Sequence, residues 1–325
     1  MILVTGAAGH IGNVLVRELL ADGCRVRALV LPGEDLKALE GLDVEIFEGD
    51  VLDPSTLEHA FDGVDYVFHL AGIISIMPGQ DGLMRRVNVE GTKNIIHAAK
   101  KAHVKRMVHT SSIHALSRKW KGCIDECVPF DMHNAAGEYD RTKAEASLEV
   151  LKAVREGLDA VIVCPTGVIG PYDYRGSEMG DLLRSFMRRK PHFMIDGAYD
   201  FVDVRDVARG LILACERGRQ GEVYILSGWQ VKIFQLKQMV QDLLGWHSAS
   251  IYIPNRLAKF SAKFMPFFYK LTGQTPKFTT YALETVLGNS NISNQKARSE
   301  LGYQPRKMTS TVADTVRWWL RDDHS

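Results

Sequence analysis

Tyr139 and Lys143, in the stretch YDRTK, place a phenol four residues ahead of an amine. On a helix that spacing is a little more than one turn, so the two side chains share a face. An ammonium near the phenol favours phenolate and draws the tyrosine pKa down from about 10, toward the range in which it trades protons at neutral pH. The same pair also decorates exposed helices that do no chemistry, so its meaning rests on what the rest of the chain brings around it. Two serines, Ser111 and Ser112 in HTSSI, close an apolar run, and the carboxyl end of a strand is where open α/β sheets hold their ligands. Position alone leaves open whether a serine there binds substrate or caps a turn. His114, two residues on, is a further candidate donor to substrate, whereas His69 and His109 fall inside predicted strands and read as packing residues.

The elements that must position these groups alternate. ILVTG is a short apolar strand, and a helix follows in which Ile11, Leu15 and Leu19 recur every four positions before Gly23 stops it. Between them TGAAGHIG sets glycines at 6, 9 and 12. One glycine permits a tight turn, another lets backbone approach a pyrophosphate, and a third lets the helix lie close on the sheet, with its amino terminus facing the phosphates. RVRALV, VEIF, DYVFHLA, RMVHTSS and DAVIVCP are the next strands, and Asp53 with Pro54 opens one of the intervening helices. Apolar strands alternating with helices imply a parallel sheet covered on both faces, a Rossmann-type doubly wound α/β fold. After Pro165 the pattern loosens. FVDV and EVYILS read as short strands around the helix RDVARGLILACERG, and beyond residue 228 the chain reads as mostly helical. The expected division is a dinucleotide-binding domain from 1–165 plus 201–228, and a smaller, mostly helical substrate lobe from 166–200 plus 229–325.

Composition narrows the function classes. The chain has 325 residues, 46% of them hydrophobic, and 40 basic against 39 acidic residues leave a net charge of +1. With no basic tail or stripe, nucleic acid is not an expected partner. Five cysteines at scattered spacings lack the paired C-x-x-C sets of structural zinc, so no metal is expected and a reducing, cytoplasmic setting fits. The first strand begins at Ile2, which leaves no room for a signal peptide, and no apolar run reaches the roughly eighteen residues of a membrane span. The most membrane-like stretch, FSAKFMPFFYKL at 260–271, is broken by lysines and a proline and reads as a helix packed in the second lobe.

The spacing G-x-x-G-x-x-G together with YDRTK resembles the extended short-chain dehydrogenase/reductase superfamily, in the branch holding the NAD-dependent epimerase/dehydratases and the dihydroflavonol 4-reductase-like enzymes. The resemblance runs through EGDVLD, HLAG, NVEGT, HTSSI, CPTGVIGP and FVDVRDVA to a late KARSELGYQPR. It implies a Ser-Tyr-Lys catalytic group: Tyr139 exchanges a proton with the substrate oxygen, Lys143 lowers its pKa and holds the nicotinamide ribose, and Ser112, with Ser111 as runner-up, hydrogen-bonds that oxygen. It further implies a cofactor site made of Gly6, Ala8, Gly9, His10, Ile11 and Gly12 at the turn. Asp50 and Val51 lie at the adenine, and Leu70, Ala71, Gly72, Thr110 and Ser111, with Tyr139 and Lys143, line the cleft. Pro165 and Val168 cover the nicotinamide side. Asn88 reads as a structural hydrogen-bonder. A homodimer through 135–156 and 84–103 is also implied.

Two departures bear on cofactor and substrate. At the end of the second strand stand Val30, Leu31, Pro32 and Gly33, neither the acid that takes a ribose hydroxyl nor the arginine that takes a 2′-phosphate, with Glu34 and Asp35 as acids in the following loop. The expectation is therefore NAD or NADP. Tyr199 stands where nucleotide-sugar enzymes carry an arginine, and CPTGVIGP is similar to the reductase branch. The expected function is an NAD(P)-dependent reductase or dehydrogenase acting on a small carbonyl/alcohol substrate. A nucleotide-sugar epimerase or dehydratase, and a non-catalytic dinucleotide sensor, are the alternatives.

Overall fold

The computed structural model describes residues 1–74, 81–262 and 280–321. Seven parallel strands form one sheet: β1 (Ile2–Thr5), β2 (Val26–Val30), β3 (Glu45–Glu48), β4 (Tyr66–His69), β5 (Arg106–Thr110), β6 (Ala160–Pro165) and β10 (Val223–Leu226), in the spatial order β3-β2-β1-β4-β5-β6-β10. The chain runs outward from β1 to β3 and then returns to the other side of β1 at β4. That reversal opens a crevice at the carboxyl ends of β1 and β4.

Alternation along the strands explains why both faces are covered. Leu3, Met107 and Ile162 point to one apolar layer, and their neighbours Val4, Val108 and Val161 point to the other. On the second of these faces α1 (His10–Ala21) and α7 (Val204–Arg217) pack through Val14, Leu15, Leu211 and Ala208. On the first lie α2 (Pro54–Ala60), α4 (Thr92–Lys101) and α5 (Glu138–Arg155). Asp53 caps α2, its side chain accepting from the Ser55 amide, with Pro54 in the first turn as the sequence indicates. A short helix, α3 (Asp81–Arg85), leads through a π-turn at Arg86–Gly91 into α4. The buried face of α5 is lined by Ala144, Ala146, Ser147 and Ala153, small residues that let the helix lie close to the sheet and bring its first turns to the crevice.

Past β6 the chain carries more strand than its sequence suggests. β9 (Ala198–Asp203), containing FVDV, pairs with β7 (Gly167–Ile169) and with β11 (Trp229–Lys232) in a three-stranded sheet of its own, while β10 alone carries this part of the chain back to the large sheet. β8 (His192–Met194) and β12 (Ser250–Tyr252) form a two-stranded pair. Around them α6 (Glu178–Phe186), α8 (Ile233–Leu244) and the helix Met308–Arg321 enclose a third core of Leu183, Phe186, Phe201, Leu236, Val240, Val312 and Val316. Most of FSAKFMPFFYKL lies outside the described residues.

Candidate active site

β1 hands the chain to Gly6 at φ +67°, a conformation that glycine adopts without strain. A Cβ on Gly6 would stand 2.8 Å from the Ala71 nitrogen, and one on Gly12 would stand 2.1 Å from the Gly6 carbonyl oxygen. Packing within the protein therefore demands both. Gly9 differs: its φ of −72° is ordinary, and a Cβ there would meet only the Gly6 carbonyl oxygen, at 3.2 Å. It also caps α1 without a side-chain hydrogen bond, so the amide groups of the first turn face the crevice. A bare helix end behind a residue whose missing side chain keeps the approach open fits a dinucleotide pyrophosphate. Ala8 and Ile11 pack into the core beneath the turn. The His10 ring turns away to the second lobe, Nε2 lying 3.0 Å from the Pro171 carbonyl oxygen, which leaves only its backbone at the turn. Asn13 joins the same two parts, donating to the carbonyls of Gly9, His10 and Tyr172.

The rest of the expected cofactor set lies along the strand ends. Asp50 Oδ1 accepts from the Leu52 amide at 2.8 Å, and Val51 is buried against Gly91. The Leu70 and Ala71 amides donate to Thr5 Oγ1 at 3.2 and 3.0 Å. Gly72 is exposed in the crevice, where a Cβ would lie 3.9 Å from Lys143 Nζ. Asn88 Oδ1 accepts from the Ile73 amide, and its Nδ2 donates to the Ile73 carbonyl and Thr142 Oγ1. Pro165 closes β6, and Val168 is half-buried in β7. At the end of β2, Glu34 folds back so that Oε2 accepts from the Leu31 amide at 2.7 Å, and Arg175 of the second lobe pairs with its other oxygen. The acid missing from the strand end in sequence is thus brought there from the loop.

Tyr139 and Lys143 occupy the first two turns of α5 on the buried side. Lys143 Nζ donates to the Thr110 carbonyl oxygen at 2.6 Å, and burial brings its pKa down to about 8. The Ser112 side chain lies beside the Tyr139 hydroxyl and favours its ionised form. Burial pushes the phenol up to about 12, opposite to the direction expected from a neighbouring lysine; Ser112 opposes the rise and the Asp140 charge adds to it, while the Lys143 ammonium is turned to the Thr110 carbonyl oxygen. The two serines part company. Ser112 Oγ faces Tyr139 and accepts from the His114 amide, whereas Ser111 Oγ lies 2.7 Å from Ser147 Oγ. Ser147 spends its own hydrogen on the Lys143 carbonyl oxygen, so Ser111 is the donor in that pair and its hydroxyl points into α5. Thr110 contributes its carbonyl; its buried hydroxyl has no partner among the described residues.

His69 is satisfied on both sides, by Thr5 Oγ1 at 2.8 Å and Thr92 Oγ1 at 3.0 Å. His109 lies beside it with the rings tilted and their centroids 5.4 Å apart, yet neither of its ring nitrogens has a partner among the described residues, unlike the satisfied packing residue read from sequence. Burial holds both rings neutral.

Next to Tyr139, His114 and Tyr199, both singled out in the sequence, are joined by Arg118, Asp140 and Tyr281, which were not. His114 Nδ1 is 2.6 Å from the Arg118 guanidinium and Nε2 is 2.7 Å from Tyr199 Oη. Arg118 Nε pairs with the buried Asp140 carboxylate at 2.7 Å, whose other oxygen accepts from Tyr281 Oη, also at 2.7 Å. The i, i+4 spacing of His114 and Arg118, and the position of Asp140 beside Tyr139, were signals in the sequence. Nothing local pointed to Tyr281. Among the described residues no cluster of three or more His, Cys, Asp or Glu is placed to hold a metal ion, and no helix is long and apolar enough to cross a membrane.

Comparison with known proteins bears on family and fold. The model of the NAD dependent epimerase/dehydratase family matches residues 2–227. The chain is 34% identical to sterol demethylase protein B of Methylococcus capsulatus, over 98% of this chain and 97% of that one. It is 30% identical to a 4-hydroxy-2-methyl-3-oxo-4-farnesyl-3,4-dihydroquinoline-1-oxide ketoreductase of Stigmatella aurantiaca, over 97% of this chain and 95% of that one. The dTDP-glucose 4,6-dehydratase of Streptomyces venezuelae, solved with NAD bound, shares the fold at a TM-score of 0.80 and 23% identity, covering 99% of this chain and 97% of that one.

Proposed function

Because this chain belongs to the NAD-dependent epimerase/dehydratase family of the extended short-chain dehydrogenases/reductases, we propose that it interconverts a small, apolar ring ketone and its alcohol, with Ser112, Tyr139 and Lys143 as its catalytic group. The observation that carries the reading is Tyr139 beside Ser112 at the carboxyl end of β5, with the buried Lys143 one helical turn further along α5 and bonded to the Thr110 carbonyl oxygen. A nicotinamide dinucleotide, when bound, supplies or accepts the hydride. In the reducing direction Ser112 and Tyr139 hold the carbonyl oxygen, and Tyr139 gives it the proton that completes the alcohol. The phenolate left behind lies one turn from the Lys143 ammonium, and the reverse direction returns the proton to Tyr139. Names borne by two relatives, a sterol demethylase component and a ketoreductase, favour a ring ketone, and Tyr199 replaces the cation that a nucleotide substrate would meet.

We propose that the residues of the glycine turn, Asp50, Val51, Leu70, Ala71, Gly72, Pro165 and Val168 hold the cofactor, and that Glu34, paired with Arg175, favours NAD(H) by accepting from a ribose hydroxyl. The five free thiols fit a reducing, cytoplasmic compartment. The paired helices α3–α4 and α5, already joined by Arg85–Glu145 and Lys93–Glu149, are the dimer face we propose; a monomer in sedimentation at micromolar concentration removes it.

The test of the reaction is Tyr139→Phe assayed against ring ketones with NADH and NADPH. Turnover falls by about 10² to 10⁴-fold while the cofactor dissociation constant, read by fluorescence, is unchanged. Substantial residual turnover refutes the assignment. Near-stoichiometric NAD+ that resists dialysis would instead favour a sugar-nucleotide epimerase or dehydratase.

A further inference from the structure

The hydrogen-bond chain behind Tyr139 fixes the direction of every proton in it. A guanidinium only donates, so His114 Nδ1, 2.6 Å from Arg118, must accept. His114 is neutral, burial and the Arg118 charge together bringing its pKa down to about 3, and its one ring proton therefore sits on Nε2. That proton is directed at Tyr199 Oη, 2.7 Å away. The Tyr199 hydroxyl consequently accepts from His114 and keeps its own hydrogen to give, and among the described residues it has no other hydrogen-bond partner.

The phenol is held in place as well as oriented. Tyr199 is 6% exposed in β9, and its ring occupies the space of a side chain at Gly167, where a Cβ would lie 2.5 Å from the ring. Its ring lies nearly parallel to that of His114 at 5.9 Å, and His114 in turn meets the Tyr139 ring edge-on at 6.4 Å. One imidazole therefore separates the Tyr199 hydroxyl from the phenol that handles the reacting oxygen. The charge nearby is already neutralised: Arg118 is held by Asp140, and Asp140 is closed off on its other oxygen by Tyr281. What the group offers a ligand is one oriented, uncharged O–H donor.

We propose that Tyr199, oriented by the Arg118–His114 pair, is a specificity-determining residue that donates to a second, uncharged oxygen of the substrate, a hydroxyl or keto group distinct from the one that reacts. This rests on the ketone/alcohol reading of the site. A buried polar group built to pair with a substrate oxygen discriminates strongly against an analogue that lacks it. The pocket therefore selects ring ketones carrying a second neutral oxygen.

The experiment compares wild-type protein with Tyr199→Phe, a change that keeps the ring against Gly167. The probes are two matched pairs, flavanone with 3-hydroxyflavanone and 5α-androstan-3-one with 17β-hydroxy-5α-androstan-3-one, each titrated by equilibrium binding to the NADH-loaded protein and assayed for reduction. In at least one pair the wild type binds the oxygenated member about tenfold more tightly, and Tyr199→Phe removes that preference while leaving the oxygen-free member and NADH binding unchanged. Preference retained in Tyr199→Phe, equal loss for both members, or no preference in the wild type overturns the proposal. If binding discriminates as expected but neither member is reduced, the assignment of Tyr199 stands and the proposed reaction is what fails.

Discussion

Exchanging each of the adjacent serines for alanine separates catalysis from packing at a single strand end. Ser112→Ala deletes the hydroxyl beside Tyr139 and, on the proposed mechanism, leaves the substrate oxygen with one donor fewer. Loss of one such preorganised donor costs about 10² to 10³-fold in kcat, or roughly 3 to 4 kcal/mol in the transition state. The fold loses little, since the hydrogen bond that Ser112 Oγ makes among the described residues is a 3.2 Å bond from the His114 amide. Ser111→Ala does the reverse. It removes a donor to Ser147 Oγ inside a buried chain that ends on the Lys143 carbonyl oxygen, worth about 1 kcal/mol of stability. Its turnover stays within a few-fold of wild type, because the hydroxyl points into α5. Urea midpoints and kcat for the two variants, with NADH dissociation constants as a control for the cofactor site, give the comparison. If Ser111→Ala loses the larger share of turnover, the geometric distinction between the serines is wrong.

Three further outcomes follow from the same site. Burial holds Lys143 at about 8 against 10.5 in an open chain, so between those values the unfolded state binds more protons and stability rises with pH, by at most about 3 kcal/mol. Tyr139, raised from 10.0 to about 12, opposes this only above pH 10. The gain in urea midpoint between pH of about 7.5 and 9.5 is therefore smaller in Lys143→Met than in wild type, and equal gains would contradict a buried, titrating ammonium. Gly9→Ala, whose Cβ meets a single atom at 3.2 Å, loses NADH affinity at a small thermal cost, whereas Gly12→Ala, at 2.1 Å from a carbonyl oxygen, loses about 3 kcal/mol of stability; matching thermal losses would undo the distinction between ligand approach and packing. Glu34→Gln narrows the preference for NADH over NADPH by about tenfold in fluorescence titration, and an unchanged ratio would take Glu34 out of cofactor choice.

The sequence by itself determined what depends on residues close together in the chain. A strand running through spaced glycines into a helix, and a tyrosine one turn before a lysine, are local patterns with local physical causes, and the parallel sheet follows from apolar strands alternating with helices. Only the tertiary structure separated Ser111 from Ser112, because the choice depends on which of them meets α5 and Ser147, thirty-six residues from Ser111. Only the fold placed β9 in a small sheet of its own, since four apolar and acidic residues pair as readily with one edge as with another. It also returned Glu34 to the end of β2, against an arginine 141 residues away, and set Tyr199 and Tyr281 around His114, Arg118 and Asp140. Proton direction in that group is set by Arg118 and His114, four residues apart, but the hydroxyl that receives the proton belongs to Tyr199, eighty-five residues from His114, and no local spacing encodes that contact.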